Sequence, residues 1–149
     1  MESSSKAMQL PFKKTICVRY SDADQQGHLY FANYLIYADE ATCYFMDELG
    51  FSAFNVNEVP CFLFTVNVNC DYLGECNSGD AVEVSVGYSR VGSSSADIAF
   101  ELFLRDSDKP LARGTFTQVF VDKETRKSCE IPEFYRAAIM KCQPELAAS

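Results

Sequence analysis

The chain has 149 residues, 48% of them hydrophobic and 13% aromatic, and a formal net charge of −8. That is long enough for one domain with a sizeable core and too apolar for a disordered chain. The acidic balance excludes nucleic acid as the main partner, because phosphate binding calls for a basic surface; a locally basic pocket for a small anion stays open.

Residues 1–10, MESSSKAMQL, read as a flexible tail without an apolar core of signal-peptide length. Phe12 to Tyr20 alternates, with Ile16 and Val18 on one face and Cys17 and Arg19 on the other, as a strand does. A turn follows, carrying Asp22, Asp24, Gly27 and the single histidine, His28. A helix is expected from about Tyr30 or Phe31 to a stop at Gly50. Its polar residues Asn33, Glu40 and Asp47 form one narrow stripe. Leu35, Ile36, Ala38, Ala41, Cys43, Phe45, Met46 and Leu49 fill most of the rest. Such a helix is expected to be buried on most sides, with something wrapped around it.

Residues 51–60 read as a loop or short helical turn. Beyond Pro60 the pattern is β: alternation over Phe62–Asp71, Ala81–Val91, Ala96–Arg105 and Leu111–Asp122, separated by runs of turn formers. A basic turn, KETRK at 123–127, precedes a short helix over Glu133–Cys142 and a tail at 143–149. The last three long strands are expected to pair as an antiparallel meander. The fold class is α+β: one domain over 11–142, with a long central helix wrapped by a curved, mainly antiparallel five-stranded sheet.

Seven cysteines lie at 17, 43, 61, 70, 76, 129 and 142, with no CxxC spacing. Beside a single histidine they argue against a structural metal site and for small buried thiols in a reducing, cytoplasmic setting. The longest apolar run, 29–46, carries Asp39 and Glu40, so no membrane insertion is expected.

The chemistry concentrates where the turn meets the helix. Free N–H groups at a helix start point back towards the preceding turn and can polarise a carbonyl. A nearby carboxylate can attack that carbonyl or activate a water. The same residue types are also ordinary turn and cap formers, so composition alone leaves Asp22 and Asp24 open. His28 can act as a base or orient a carboxylate, or simply hydrogen-bond at the surface. A GxSxG elbow, a GxGxxG run, a P-loop and HExxH are all absent.

The stretch VRYSDADQQGHLYFANYLIYADEA (18–41) resembles the signature of the hotdog-fold acyl-CoA thioesterases of the 4-hydroxybenzoyl-CoA thioesterase type, including the YbgC-like proteins. Asp22, Asp24, Gly27, Leu29, Tyr30, Phe31, Asn33, Tyr34 and Asp39 fall on the motif. GDAVEVSVGYSRVGSSS (79–95), LARGTFTQVFVDKETRK (111–127) and Ile131-Pro132 resemble the family's later strands, so the likeness runs over about 12–135.

The resemblance implies a hotdog fold, acyl-CoA or acyl-carrier-protein thioesters as substrates, and a homodimer or homotetramer with active sites between subunits. It implies Asp24 as the catalytic carboxylate, the Phe31 backbone N–H as carbonyl donor, and Gly27 as the point where backbone approaches substrate. Tyr30, Asn33 and Tyr34 are expected beside the substrate. The CoA phosphates are assigned to Arg90, Ser93, Ser94, Ser95, Arg113, Lys123, Arg126 and Lys127. CoA is then part of the substrate, and neither metal nor cofactor is expected.

Gln25-Gln26 and His28 depart from the commoner residues of the motif. His28 is therefore expected to hydrogen-bond Asp24 or the substrate. Tyr44, Phe45, Met46, Phe62 and Phe64 suit an apolar acyl pocket and equally a core. Two other readings remain: a hydratase or dehydratase of acyl thioesters, which needs His28, and a non-catalytic acyl-CoA-binding protein.

Overall fold

The computed structural model describes residues 9–52 and 54–148. Part of the expected 1–10 tail thus lies outside the described residues. The alternating segments form β1 (Phe12–Cys17), β2 (Phe62–Tyr72), β3 (Ala81–Val91), β4 (Ser95–Leu104) and β5 (Pro110–Val121). All pairings are antiparallel, and the spatial order is β1-β3-β4-β5-β2. The meander β3-β4-β5 is therefore central, with the two strands nearest the helix in sequence at its edges.

The helix α1 (Phe31–Glu48) lies on the face lined by Val82, Val84, Val86 and Tyr88 of β3 and by Ile98, Phe100 and Leu102 of β4, all buried. It ends as the sequence suggests: Leu49 caps it and Gly50 takes φ +99, a left-handed conformation that favours glycine. It is not buried on most sides within one chain. Tyr34, Tyr37, Ala38, Ala41, Thr42, Phe45 and Met46 form the buried face, whereas Ile36 is 54% and Phe31 59% exposed. The reason is its placement: α1 packs over β1, β3 and β4, leaving a groove between its outer face and the β5–β2 side of the sheet.

Two further departures have local causes. β1 ends at Cys17, not Tyr20, because Tyr20–Asp22 winds into a tight helical turn closed by the Asp22 N–H on the Arg19 carbonyl. β2 carries a bulge between Thr65 and Asn67, which interrupts the expected alternation at Val66.

At the far end, α2 (Glu133–Cys142) buries Tyr135 against Phe51 and Phe120 and joins the Tyr135 hydroxyl to that of Tyr88 at 2.6 Å. The segment expected as a C-terminal tail begins with a buried anchor. The Gln143 amide accepts from the Tyr88 N–H at 2.8 Å and donates to the Tyr88 carbonyl at 2.9 Å. Pro144–Ala148 follows as a helical turn. Among the described residues no helix is long and apolar enough to cross a membrane.

Candidate active site

Asp22 fastens the loop between β1 and α1. Its Oδ2 accepts from the Tyr37 hydroxyl at 2.6 Å and from Arg19 Nε at 2.9 Å. Its carbonyl accepts from the Tyr30 N–H at 3.0 Å and from Asn33 Nδ2 at 2.8 Å. Asn33 thus pins the turn to the helix. The hydrogen bond from Tyr37, then Arg19, holds the Asp22 carboxyl below the usual range, against burial. Burial, then the bond to Asp22, pushes the Tyr37 hydroxyl well up.

A depressed folded-state pKa gives stability that is present above the unfolded value and lost as pH falls through the folded one. Wild type is therefore expected to lose this stabilisation below about pH 4. Asp22→Asn should be less stable at neutral pH and show a shallower acid limb, read from urea midpoints at pH 7 and pH 3. Tyr37→Phe should cost about 1.5–3 kcal/mol at neutral pH, the scale of one hydrogen bond to a charged acceptor.

Asp24 is held differently. Its Oδ1 accepts from the backbone N–H of Gln26 at 2.9 Å and of His28 at 3.2 Å. Its own N–H donates to the His28 carbonyl at 2.7 Å. Gly27 makes this tight reversal possible with φ +84; a Cβ there would meet nothing within 4 Å, so conformation rather than space calls for glycine. With Oδ1 anchored by backbone, Oδ2 has no hydrogen bond among the described residues and is the oxygen available for chemistry.

The helix start supplies the second half. Tyr30 is the N-cap residue in an extended conformation, and its side chain makes no capping hydrogen bond. No acidic residue occupies the first turn. Among the described residues no acceptor takes the Phe31 N–H. This uncapped end opens into a cavity of about 370 Å³ that Asp24, His28, Phe31, Tyr34, Tyr72 and Glu75 help to line. Asp24, Gly27 and Tyr30 also border an adjoining cavity of about 600 Å³ with Tyr20, Gln25 and Ser78. The ring of Phe31 packs against Tyr30 at 4.9 Å and Tyr72 at 6.1 Å, giving the mouth an aromatic rim. Tyr34 is buried, its hydroxyl donating to the Gly74 carbonyl at 3.4 Å.

From this mouth the groove runs along the outer face of α1. Leu35, Ile36 and Asp39 face Thr65, Val68 and Phe116. Beyond them Cys43 and Met46 face Cys61, Phe62, Phe64 and Gln118. Burial raises the pKa of Asp39, and raises that of the Cys43 thiol to about 11, ahead of the effect of Asp39 and Glu40. Phe45, in contrast, is core, at 2% exposure.

His28 reaches Asp24 only through its backbone; its imidazole Nδ1 lies 3.7 Å from Glu75 Oε1. Glu75 sits in a run that the sequence marks only as turn formers, and no spacing ties it to Asp24. Leu29 N–H on the Cys76 carbonyl and Ser78 N–H on the Gly27 carbonyl bring the two loops together. That link is a tertiary one.

The residues assigned to CoA phosphates do not gather at Asp24 within one chain. Arg90 pairs with Asp97 at 2.9 Å and donates to Ser95 Oγ at 3.0 Å. The Ser93 carbonyl accepts from Arg136. The Lys123 ammonium and Arg126 guanidinium lie over the Phe62 ring at 5.9 and 5.1 Å. Ser94, with its carbonyl on the Phe120 N–H, and Lys127 lie at the same end, where β2 begins and β5 finishes. The mouth lies at the Tyr72 end of the eleven-residue β2, about 33 Å away at ordinary strand rise. Arg113 stands at the near end, opposite Asp71, and its guanidinium pairs with buried Glu101 at 2.7 Å. Among the described residues no cluster of three or more His, Cys, Asp and Glu side chains is placed to hold a metal ion.

A helix laid on a five-stranded antiparallel sheet defines a hotdog-fold protein, and here Asp24 and the uncapped helix start border one cavity. The chain belongs to the thioesterase-like superfamily, whose family model matches residues 18–139. It is 24% identical over 115 residues to YneP of Bacillus subtilis (strain 168), named as an acyl-CoA thioesterase, covering 77% of this chain and 83% of that protein. The PA5185 protein of Pseudomonas aeruginosa strain PAO1 superposes with a TM-score of 0.81 at 26% identity, over 91% of this chain and 93% of that one. The SAV2348 protein of Staphylococcus aureus, solved in complex with CoA, superposes with a TM-score of 0.84 at 23% identity, over 93% and 88% of the two chains.

Proposed function

We propose that this hotdog domain, residues 11–142, is an acyl-CoA thioesterase that converts thioester and water to free acid and thiol. One observation carries the reading: the Asp24 carboxylate and the unaccepted Phe31 N–H line the same cavity. The N–H binds the thioester carbonyl and stabilises the oxyanion that develops on it. Asp24 Oδ2 attacks the carbonyl carbon, or takes the proton of a water that does. CoA is preferred over a carrier protein, because carrier proteins are themselves acidic and this chain carries a net −8. The CoA seen with SAV2348 agrees with that preference.

The active unit is a homodimer joined along β2. Among the described residues this strand is a long edge, paired to β5 alone, and exposes Phe64, Val66 and Val68 at 42%, 60% and 44%. A two-fold antiparallel pairing of β2 with its copy sets the Phe62 end of one chain against the Tyr72 end of the other. Lys123 and Arg126 of one chain then stand near the Asp24 mouth of its partner, which supports their assignment to the CoA phosphates. The open side of α1 is covered by the same contact. Val66→Lys, a charge in the middle of this edge, should give a folded monomer by sedimentation and lose most thioesterase activity. An active monomer would remove the two-chain site.

A further inference from the structure

The mouth holds a second ionisable pair, His28 and Glu75, which the site chemistry above leaves unused. Both line the cavity of about 370 Å³ that contains Asp24 and the Phe31 N–H. His28 Nδ1 lies 3.7 Å from Glu75 Oε1, at ion-pair range, and the two side chains are 33% and 68% exposed. The position of His28 is set by backbone. Its N–H and carbonyl bond to Asp24, and an isolated β-bridge ties it to Asn77. The Glu75 backbone carbonyl accepts from the Lys109 ammonium at 3.4 Å. The other titratable groups facing the cavity are Asp24, Tyr30, Tyr34 and Tyr72.

Thioester cleavage leaves a task that neither Asp24 nor the Phe31 N–H performs. When the C–S bond breaks, its electron pair stays on sulfur, and an alkyl thiolate is a poorer leaving group than the thiol. With Nδ1 turned to Glu75, the ring leaves Nε2 for the substrate. We infer that His28, oriented by Glu75, is the proton donor to the departing CoA sulfur, an inference that rests on the thioesterase reading. In the first step the Asp24 carboxylate forms a C–O bond to the acyl carbon, the C–S bond breaks, and the imidazolium Nε2–H passes its proton to sulfur. In the second step water adds its hydroxyl to the acyl carbon of the anhydride, Asp24 leaves as carboxylate, and neutral His28 takes the remaining proton. Thioester and water have become acid and thiol, with His28 and Asp24 restored. If Asp24 instead activates water for direct attack, His28 still protonates sulfur, and the proton on Asp24 returns to it through solvent. His28 is the catalytic residue of the pair; Glu75 is a positioning residue.

The experiment compares two substrates of one acyl group: the CoA thioester, and an aryl thioester whose acidic thiol leaves without protonation. His28→Gln should lose roughly 100-fold in kcat on acyl-CoA, the scale of general acid catalysis, and Glu75→Gln roughly 10-fold. On the aryl thioester both variants should come within about 3-fold of wild type, since no acid is needed there. Equal losses on the two substrates, or no loss on acyl-CoA, would overturn the assignment. Circular dichroism and thermal melting confirm that each variant folds. Asp24→Asn, run in parallel, should lose activity on both substrates. Retained activity in that variant would strike at the thioesterase site itself, separately from the His28 result.

Discussion

Asp24→Asn should fold like wild type and lose about three orders of magnitude in kcat/KM on acyl-CoA, the scale for a group that activates or replaces the attacking nucleophile. The substitution is nearly isosteric. The Asn side-chain oxygen can still accept from the Gln26 and His28 N–H groups, which bond Asp24 Oδ1 at 2.9 and 3.2 Å. The turn therefore survives, and only the charge and basicity of the free oxygen disappear. Thermal melting should show little change, whereas thiol release should nearly stop. Unchanged turnover would sink the assignment of Asp24. Rapid acid quench of wild type during turnover, followed by intact-mass measurement, then separates the two roles of Asp24. A nucleophile carries the acyl group as an anhydride, and the protein gains the acyl mass. A general base leaves the protein at its own mass throughout.

The loop holds the two aspartates, separated only by Ala23, in different ways. Asp22 is consumed by contacts: Tyr37 and Arg19 on its carboxylate, Tyr30 and Asn33 on its carbonyl. Among the described residues the Asp24 carboxylate is bound through one oxygen, by backbone N–H groups. The D-x-D spacing does not tell the two apart; the fold of the loop does, by the contacts that it gives each carboxylate. The elements were far more legible. The valine alternation of β3 gives its bounds because both periodicity and turn formers agree there, and Gly50 marks the end of α1 by the conformation it takes. Periodicity cannot express the order of strands, so β2 and β1 as the two edges emerge only from pairing. Nor can it say which apolar residues of α1 find a cover within one chain. Ile36 and Ala38 look alike in sequence, yet one is 54% exposed and the other 0%. Glu75 was invisible for a related reason, since its partner lies across a loop-to-loop contact rather than along any repeat.

Phe31→Pro tests the other half of the site and should separate backbone from side chain. Proline at the first helical position removes the N–H without breaking the helix, because that N–H has no intrahelical partner and the fixed φ suits the first turn. The preceding residue must be extended, and Tyr30 already is, at φ −62 and ψ 134. Phe31→Ala is the necessary control. It keeps the N–H but loses the ring that packs on Tyr30 and Tyr72. The two variants lack the same aromatic contacts, so their ratio reports the N–H alone. We expect Phe31→Pro to fall about 100- to 1,000-fold below Phe31→Ala in kcat, as for loss of one oxyanion donor. Helix content by circular dichroism should match in the two. The loss should sit in kcat more than in KM, since the carbonyl oxygen gains charge only on the way to the transition state and the donor is worth most there. Equal rates for the two variants, both folded, would mean that the uncapped helix start takes no part in the reaction, and the oxyanion would need another donor in the same cavity.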